Sequence, residues 1–204
     1  NMFLLMIREI AHNLYHRLHE FQTPVSLKDR HISLDELSLQ ELEYSINENF
    51  FSGARSKENY TEQGYRNDLE THLKGRLYYD RFHYIPWLNK SVRLDGARIL
   101  EIGCGTGSST VAFAEQGADV TGVDIDEGAL RVANDRCRLF GLPATFISGS
   151  TDDVLQRVKG QKFDLIIFFA SIEHMILSER MDSLRRYYDL LPSGAFLSII
   201  EAPN

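Results

Sequence analysis

The sequence predicts an α/β fold: a doubly wound parallel sheet with helices on both faces, preceded by a helical cap. Three observations predict it. From Arg93 onward, short apolar runs alternate with amphipathic segments, the texture of strand–helix units. The run Phe163 to Phe169 (FDLIIFF) is nearly continuous in apolar residues, as expected of a strand buried on both faces. Glycines stand where the intervening helices should stop, at Gly117 and Gly141.

Residues 1–92 lack this alternation and read as a helical cap or lid over a second unit, residues 93–204. Ile7, Ile10, Ala11, Leu14 and Leu18 recur at the spacing of an amphipathic helix, and Thr23-Pro24 punctuates its end. Ser33 followed by Glu36 predicts a capping box opening a second helix with Leu34, Leu37, Leu39, Leu42 and Ile46. A polar loop around Phe51 to Lys57 follows. A third helix is expected from Asp68 towards Tyr84, bent or ended by Pro86. In the second unit strands are expected at Arg98–Ile102, Asp119–Asp124, Ala144–Ser148, Phe163–Phe169 and Ala195–Ile200. Helices fall between them at Ser108–Gln116, Glu127–Phe140, Asp152–Val158 and Ser178–Leu191.

Composition narrows the function. The 204 residues are 43% hydrophobic and 25% charged, ordinary for a globular chain, with net charge −7. Residues 1–90 carry 11 basic and 13 acidic side chains and the remainder 11 and 16, so neither half offers a basic surface for nucleic acid. Cys104 and Cys137 lack metal-ligand spacing, and the seven histidines form no cluster, so no metal site is expected. The apolar stretch Met2 to Ile7 is too short to span a bilayer and lacks a signal-peptide layout. A cytoplasmic setting with no membrane association is the expectation.

The stretch Ile99 to Gly107, ILEIGCGTG, carries the chemistry. The dinucleotide fingerprint G-x-G-x-x-G needs its third glycine three residues after the second. Here Gly103 and Gly105 are in place, but Ser108 holds that position and the third glycine is Gly107. This disfavours an NAD-binding oxidoreductase. Glu101 precedes the loop, and Asp124 ends the next strand.

Together these features resemble the class I S-adenosylmethionine-dependent methyltransferases. ILEIGCGTG resembles their first motif and Val120 to Leu130 (VTGVDIDEGAL) their second-strand motif. Phe163 to Met175 (FDLIIFFASIEHM) resembles their fourth strand and its loop, and Leu190 to Ile200 the turn into their fifth strand. The resemblance covers residues 93–204 and is similar in flavour to the small-molecule branch that includes quinone-biosynthesis methyltransferases. It implies a Rossmann-like core with S-adenosylmethionine as cofactor, S-adenosylhomocysteine as product and a small-molecule acceptor.

By that resemblance Gly103, Cys104, Gly105 and Gly107 line the cofactor, Glu101 orients the loop and the ammonium end, and Asp124 accepts the ribose hydroxyls. Ile125 packs on the adenine, and Ala170, past the fourth strand, lies beside the cofactor. Cys104 reads as a packing residue rather than a nucleophile. Gly149 is followed by Ser150 where the family has Asp, so Ser150 and Thr151 are expected beside the adenine, with Asp152 capping the next helix; the alternative is that Asp152 takes the adenine contact from the next turn. His174 is the candidate base, with Glu173 orienting it; the alternative is that the pair simply starts the next helix. Tyr60, Tyr65, Tyr78, Tyr79, Phe82, Tyr84 and Trp87 crowd the cap, as packing or as a substrate box. Arg76 is either a solvated cation or a partner for the cofactor carboxylate.

The family's sheet has seven strands, and five are found here. Its fifth, Phe196 to Ile200, would be an exposed apolar edge. The expectation is a natural chain that continues past Asn204, or a partner or second copy, as in a homodimer, covering that edge. The rival function is a catalytically silent domain of this fold that binds the cofactor or a protein partner.

Overall fold

A computed structural model of the chain describes Leu27 and residues 31–200. The helix expected within residues 1–22 and the segment after Ile200 lie outside these residues. Five parallel strands form one sheet: β1 (Arg98–Ile102), β2 (Asp119–Asp124), β3 (Thr145–Ser148), β4 (Leu165–Phe169) and β5 (Phe196–Ile200), in the spatial order β3-β2-β1-β4-β5. All five expected strands are present. The order reverses at β1, and an open sheet of this kind binds ligands beyond the carboxyl ends of its strands at such a point.

The two faces follow from the period-two alternation of strand side chains. Ile99, Val120, Leu165 and Ile167 share one apolar cluster with α5 (Ser108–Glu115) and α6 (Glu127–Leu139). Leu100, Val123, Ile166 and Phe168 share the other with α7 (Thr151–Arg157) and α8 (Leu177–Tyr188). Helices on both faces explain why β4 reads as an unbroken apolar run.

Before β1 the described chain is helical, and its details depart from the sequence reading. Helix α1 (Glu36–Ser45) is capped by Asp35, whose carboxylate accepts from Ser38 N at 2.8 Å, so the expected Ser33 box does not form. A run across residues 62–88 follows, made of α2 (Glu62–Glu70), α3 (Arg76–Tyr79) and α4 (Ile85–Leu88), joined by π-helical turns at Thr71–Gly75 and Asp80–Tyr84. It starts six residues before Asp68 because α2 buries no residue and so shows no apolar stripe. Pro86 sits in the first turn of α4, where a missing N–H is tolerated, and the run ends at Leu88. Phe51, expected in a polar loop, is buried edge-on against Tyr60 and Tyr65.

This helical layer packs on α6 through Leu42, Ile46, Phe50, Leu73, Ala129 and Val132. It also grips α5: Arg81 forms a two-pronged ion pair with buried Glu115, at 2.9 and 2.5 Å. Among the described residues no helix is long and apolar enough to cross a membrane, and no cluster of metal ligands is present.

Candidate active site

The glycine loop leaves β1 in a tight reversal. Gly103 N and Cys104 N both donate to Val123 O, at 2.7 and 2.9 Å, tying the loop to β2. Gly103 and Gly107 have φ of +81° and +79°, and both are hemmed in. A Cβ on Gly103 would stand 2.2 Å from Ser171 Cβ, and one on Gly107 would stand 2.8 Å from Ala133 Cα. Gly105 differs: a Cβ there would meet nothing within 4 Å, so the backbone at Gly105 faces open space. Gly107→Ala is therefore expected to destabilise the chain by about 2–5 kcal/mol, adding overpacking to left-handed strain. Gly105→Ala is expected to cost only the strain, about 1–2 kcal/mol. Thermal melts of the two variants check this, and equal losses would contradict the assignment.

Glu101 is fully buried, and its carboxylate accepts from the hydroxyls of Ser109 and, at 2.6 Å, Thr110. Burial raises its pKa while those two hydrogen bonds oppose the rise. Glu101 thus fastens the first turn of α5 to the end of β1. Cys104 is buried, and desolvation pushes its thiol well up, which leaves it a packing residue.

Asp124, at the end of β2, is half-buried and holds the loop from the other side. Its Oδ2 accepts from Gly105 N and its Oδ1 from Asp126 N, both at 2.9 Å. Each oxygen keeps lone-pair capacity for a further donor. Its pKa is raised by burial, against the pull of the backbone hydrogen bonds and Arg55. Ile125 next to it is 81% exposed, an unpaid apolar surface beside a hydrogen-bonding carboxylate. Asp126 caps α6 through Gly128 N and Ala129 N and forms an ion pair with Arg55 of the preceding layer.

The structure brings Glu101, Gly103, Cys104, Gly105, Gly107, Asp124 and Ile125 into one cradle. Gly149 N donates to Asp124 O at 3.3 Å, which brings the start of α7 alongside. There Ser150, not Asp152, is the cap: Ser150 and Asp153 form a reciprocal capping box, while Asp152 pairs with Arg186. The Thr151 hydroxyl is engaged by Ser183 at 2.9 Å. Both hydroxyls therefore have structural partners.

At the end of β4, Ala170 has φ +45°, the one left-handed non-glycine among the described residues. Such strain gathers at functional sites. Ser171 Oγ donates to Ile102 O at 2.7 Å and stitches this turn to the glycine loop. Glu173 and His174 follow in a short 3-10 turn held by Arg180, which donates to Glu173 O and Met175 O at 2.7 Å. His174 is exposed. Glu173 Oε2 is buried without a partner, and no hydrogen bond joins the two residues.

With this geometry in hand, the likeness to known proteins is specific. Residues 99–194 match the family described as the methyltransferase domain. Over that segment the chain is similar to methyltransferase domains. The chain is 31% identical over 118 residues to a ubiquinone biosynthesis O-methyltransferase of Pseudomonas aeruginosa strain UCBPP-PA14, covering 57% of this chain and 50% of that protein. It is 34% identical over 93 residues to the protein of that name from Aromatoleum aromaticum, covering 45% and 38%. The chain spans about half the length of the curated relatives it matches. Among solved structures, Streptomyces venezuelae DesVI shares the fold at TM-score 0.54 and 21% identity, covering 70% of this chain and 58% of that one. The cyclase SpnF aligns at TM-score 0.51 and 25% identity, covering 60% and 44%.

Sequence reading missed the residues that hold the domain's loop from outside. Arg136 is fully buried and donates to Thr106 O at 2.8 Å, His72 O at 2.5 Å and Leu73 O at 3.3 Å. Its signal was available: position 136 lies on the apolar stripe of α6, among Val132, Ala133, Cys137 and Phe140. His72 is also buried, with Nδ1 3.2 Å from Thr106 Oγ1. Its pKa falls to about 3, through burial first and then the charges of Arg76, Arg136 and Arg55, so its ring is neutral. Ser171 carried no sequence signal, because its partner is a backbone carbonyl 69 positions away.

Proposed function

We propose that this chain binds S-adenosylmethionine and transfers its methyl group, by in-line displacement, to an oxygen, nitrogen or carbon of a small molecule. The observation that carries this is the Asp124 carboxylate, anchored by Gly105 N and Asp126 N beside exposed Ile125. That arrangement suits a ribose diol and an adenine face. The open Gly105 backbone suits close approach by a ligand, and no phosphate-binding third glycine is present. When bound, the cofactor supplies an activated methyl on a sulfonium sulfur. The chain's own work is to orient and to exclude water.

In this reading Asp124 accepts the ribose hydroxyls and Ile125 covers one face of the adenine. Ser150 and Thr151 border its edge, with the lone-pair capacity left by the capping box. Ala170 and Ser171 wall the reacting end, and the layer across residues 36–88 closes over it as a lid. Tyr84 packs edge-on against Phe169 at 4.8 Å, while Tyr78, Tyr79, Phe82 and Trp87 stay 49–58% exposed and offer acceptor surface. The printed activity of the relatives, O-methylation, favours an oxygen acceptor. Calorimetry with S-adenosylmethionine, S-adenosylhomocysteine and NAD tests the proposal: binding of the first two is expected, and binding of NAD alone would overturn it.

A hydroxyl acceptor must lose its proton, and in this reading exposed His174 takes it, without a hydrogen bond from Glu173. His174→Ala is expected to lower kcat by about 10²–10⁴ while leaving S-adenosylhomocysteine affinity unchanged. Turnover at the wild-type rate would remove His174 from the mechanism. The second reading, a domain of this fold without methyl transfer, is favoured by the unlinked Glu173 and His174 and by a cyclase sharing the architecture. A screen of small hydroxylated acceptors separates the two.

A further inference from the structure

The face of the sheet that carries Leu100, Val123 and Ile147 into the core turns polar at its amino end. Period-two alternation puts Arg98, Asp119, Thr121 and Thr145 on that same face. They stand as two register pairs, Arg98 beside Asp119 and Thr121 beside Thr145. Helix α7, which covers this face, is seven residues long and ends at Arg157. The chain then turns through Gly160, at φ +78°, and enters β4, so the polar end of the face stays open. A cavity of about 320 Å³ results, floored by these strand residues and walled by Arg157, Val158, Gln161 and Phe163. It lies at the opposite end of the sheet from the cradle. Asp119 and Asp124 are the two ends of β2, about 17 Å apart at the rise of a strand.

The charges of this cavity stand on opposite sides. Arg98 does not pair with Asp119 beside it, because its guanidinium donates to Gln161 Oε1 at 3.1 Å and lies over the Phe163 ring at 5.6 Å. Exposed Asp119 is thus left open on the floor. Arg157 is exposed on the wall, and the acid one turn back on its helix, Asp153, spends its carboxylate on Ser150 N and Oγ. Asp164, at the start of β4, accepts from Arg98 N at 2.8 Å. Among the described residues neither the Asp119 carboxylate nor the Arg157 guanidinium has a hydrogen-bond or ion-pair partner. Behind them Ile147, Val158 and Phe163 are buried and apolar. A simple anion would meet Asp119, and a simple cation would meet Arg98 and Arg157. A zwitterion with an apolar side chain meets neither conflict. Ligand pockets run from about 300 to 1,000 Å³, so this one has room for a single amino acid rather than a nucleotide.

We infer that the cavity binds one free α-amino acid with an apolar side chain. Arg157 faces its carboxylate, Asp119 its ammonium group, and Val158 and Phe163 its side chain. The inference stands apart from the cofactor reading, since no residue of the cradle takes part.

The test is titration of the chain with L-valine, L-leucine, L-methionine and L-phenylalanine, followed by amide NMR. Leucinamide, which lacks the carboxylate, and 4-methylpentanoate, which lacks the ammonium group, are the controls. At least one amino acid is expected to saturate, with shifts gathered at residues 119–121, 145–147 and 157–163. Leucine should bind about tenfold tighter than either control, the value of one charged hydrogen bond. Arg157→Gln and Asp119→Asn change exposed side chains, so each should keep the wild-type Tm and lower the affinity by about tenfold. Saturation by none of the four, or shifts centred on residues 101–107, overturns the inference. Equal binding of 4-methylpentanoate would mark an anion site and overturn it too, as would wild-type affinity in both variants.

Discussion

Asp124→Ala is expected to weaken S-adenosylhomocysteine binding by about a hundredfold or more, measured by calorimetry. Two contributions add. The variant removes two charge-assisted acceptor positions for the ribose diol, each worth about 1.5–3 kcal/mol. It also frees Gly105 N and Asp126 N, which the carboxylate holds at 2.9 Å, so the loop loses one of its ties to β2 and keeps those through Val123 O. Asp124→Asn separates these terms. It keeps one acceptor oxygen and presents an amide to the other donor, so it should lose nearly as much affinity with less change in melting temperature. Binding within fivefold of wild type in both variants would remove Asp124 from the cofactor site.

The largest expected effect on stability belongs to Arg136. Arg136→Met keeps the apolar stem but leaves Thr106 O without its donor and strips a charge-assisted hydrogen bond from each of the helical carbonyls His72 O and Leu73 O, in a fully buried place. An unmet buried acceptor costs about 1–3 kcal/mol and a hydrogen bond from a charged group contributes about 1.5–3 kcal/mol, so a loss of about 3–5 kcal/mol is expected. For a chain of this size that lowers Tm by roughly 10 °C. Arg136→Lys should recover only part of the loss, since one ammonium cannot span carbonyls on two elements. Circular dichroism melts decide the matter, and a Tm within 2 °C of wild type for Arg136→Met would show that the three contacts carry little.

The parallel sheet was legible because strands buried on both faces need continuous apolar runs, and helices between them need stops such as Gly117 and Gly141. The cradle was legible for a related reason: Gly103, Gly105 and Gly107 take positive φ, and that demand writes glycine into the sequence. The first layer was less legible. Asp35 took the cap predicted for Ser33, a choice between neighbouring residues that tertiary packing decides. The π turns at Thr71–Gly75 and Asp80–Tyr84 have no simple pattern, yet they rotate the stripe that sets His72 and Asp80 against the core. Ser150 became a cap because its hydroxyl and the Asp153 carboxylate satisfy each other, which position alone did not separate from an Asp152 cap.

The contacts around the glycine loop bear on whether such a motif can be moved. ILEIGCGTG looks self-contained in the sequence, nine residues with their own turn chemistry. In the folded chain its shape is borrowed. Ser171 sets the clearance at Gly103, Ala133 sets it at Gly107, and Arg136 and His72 hold Thr106 from two helices. A protein engineer who grafted the nine residues onto another α/β scaffold would inherit the glycines' flexibility without the walls that shape it. The smallest transplantable unit therefore includes β1, the turn after β4, the inner face of α6 and the π turn at Thr71–Gly75.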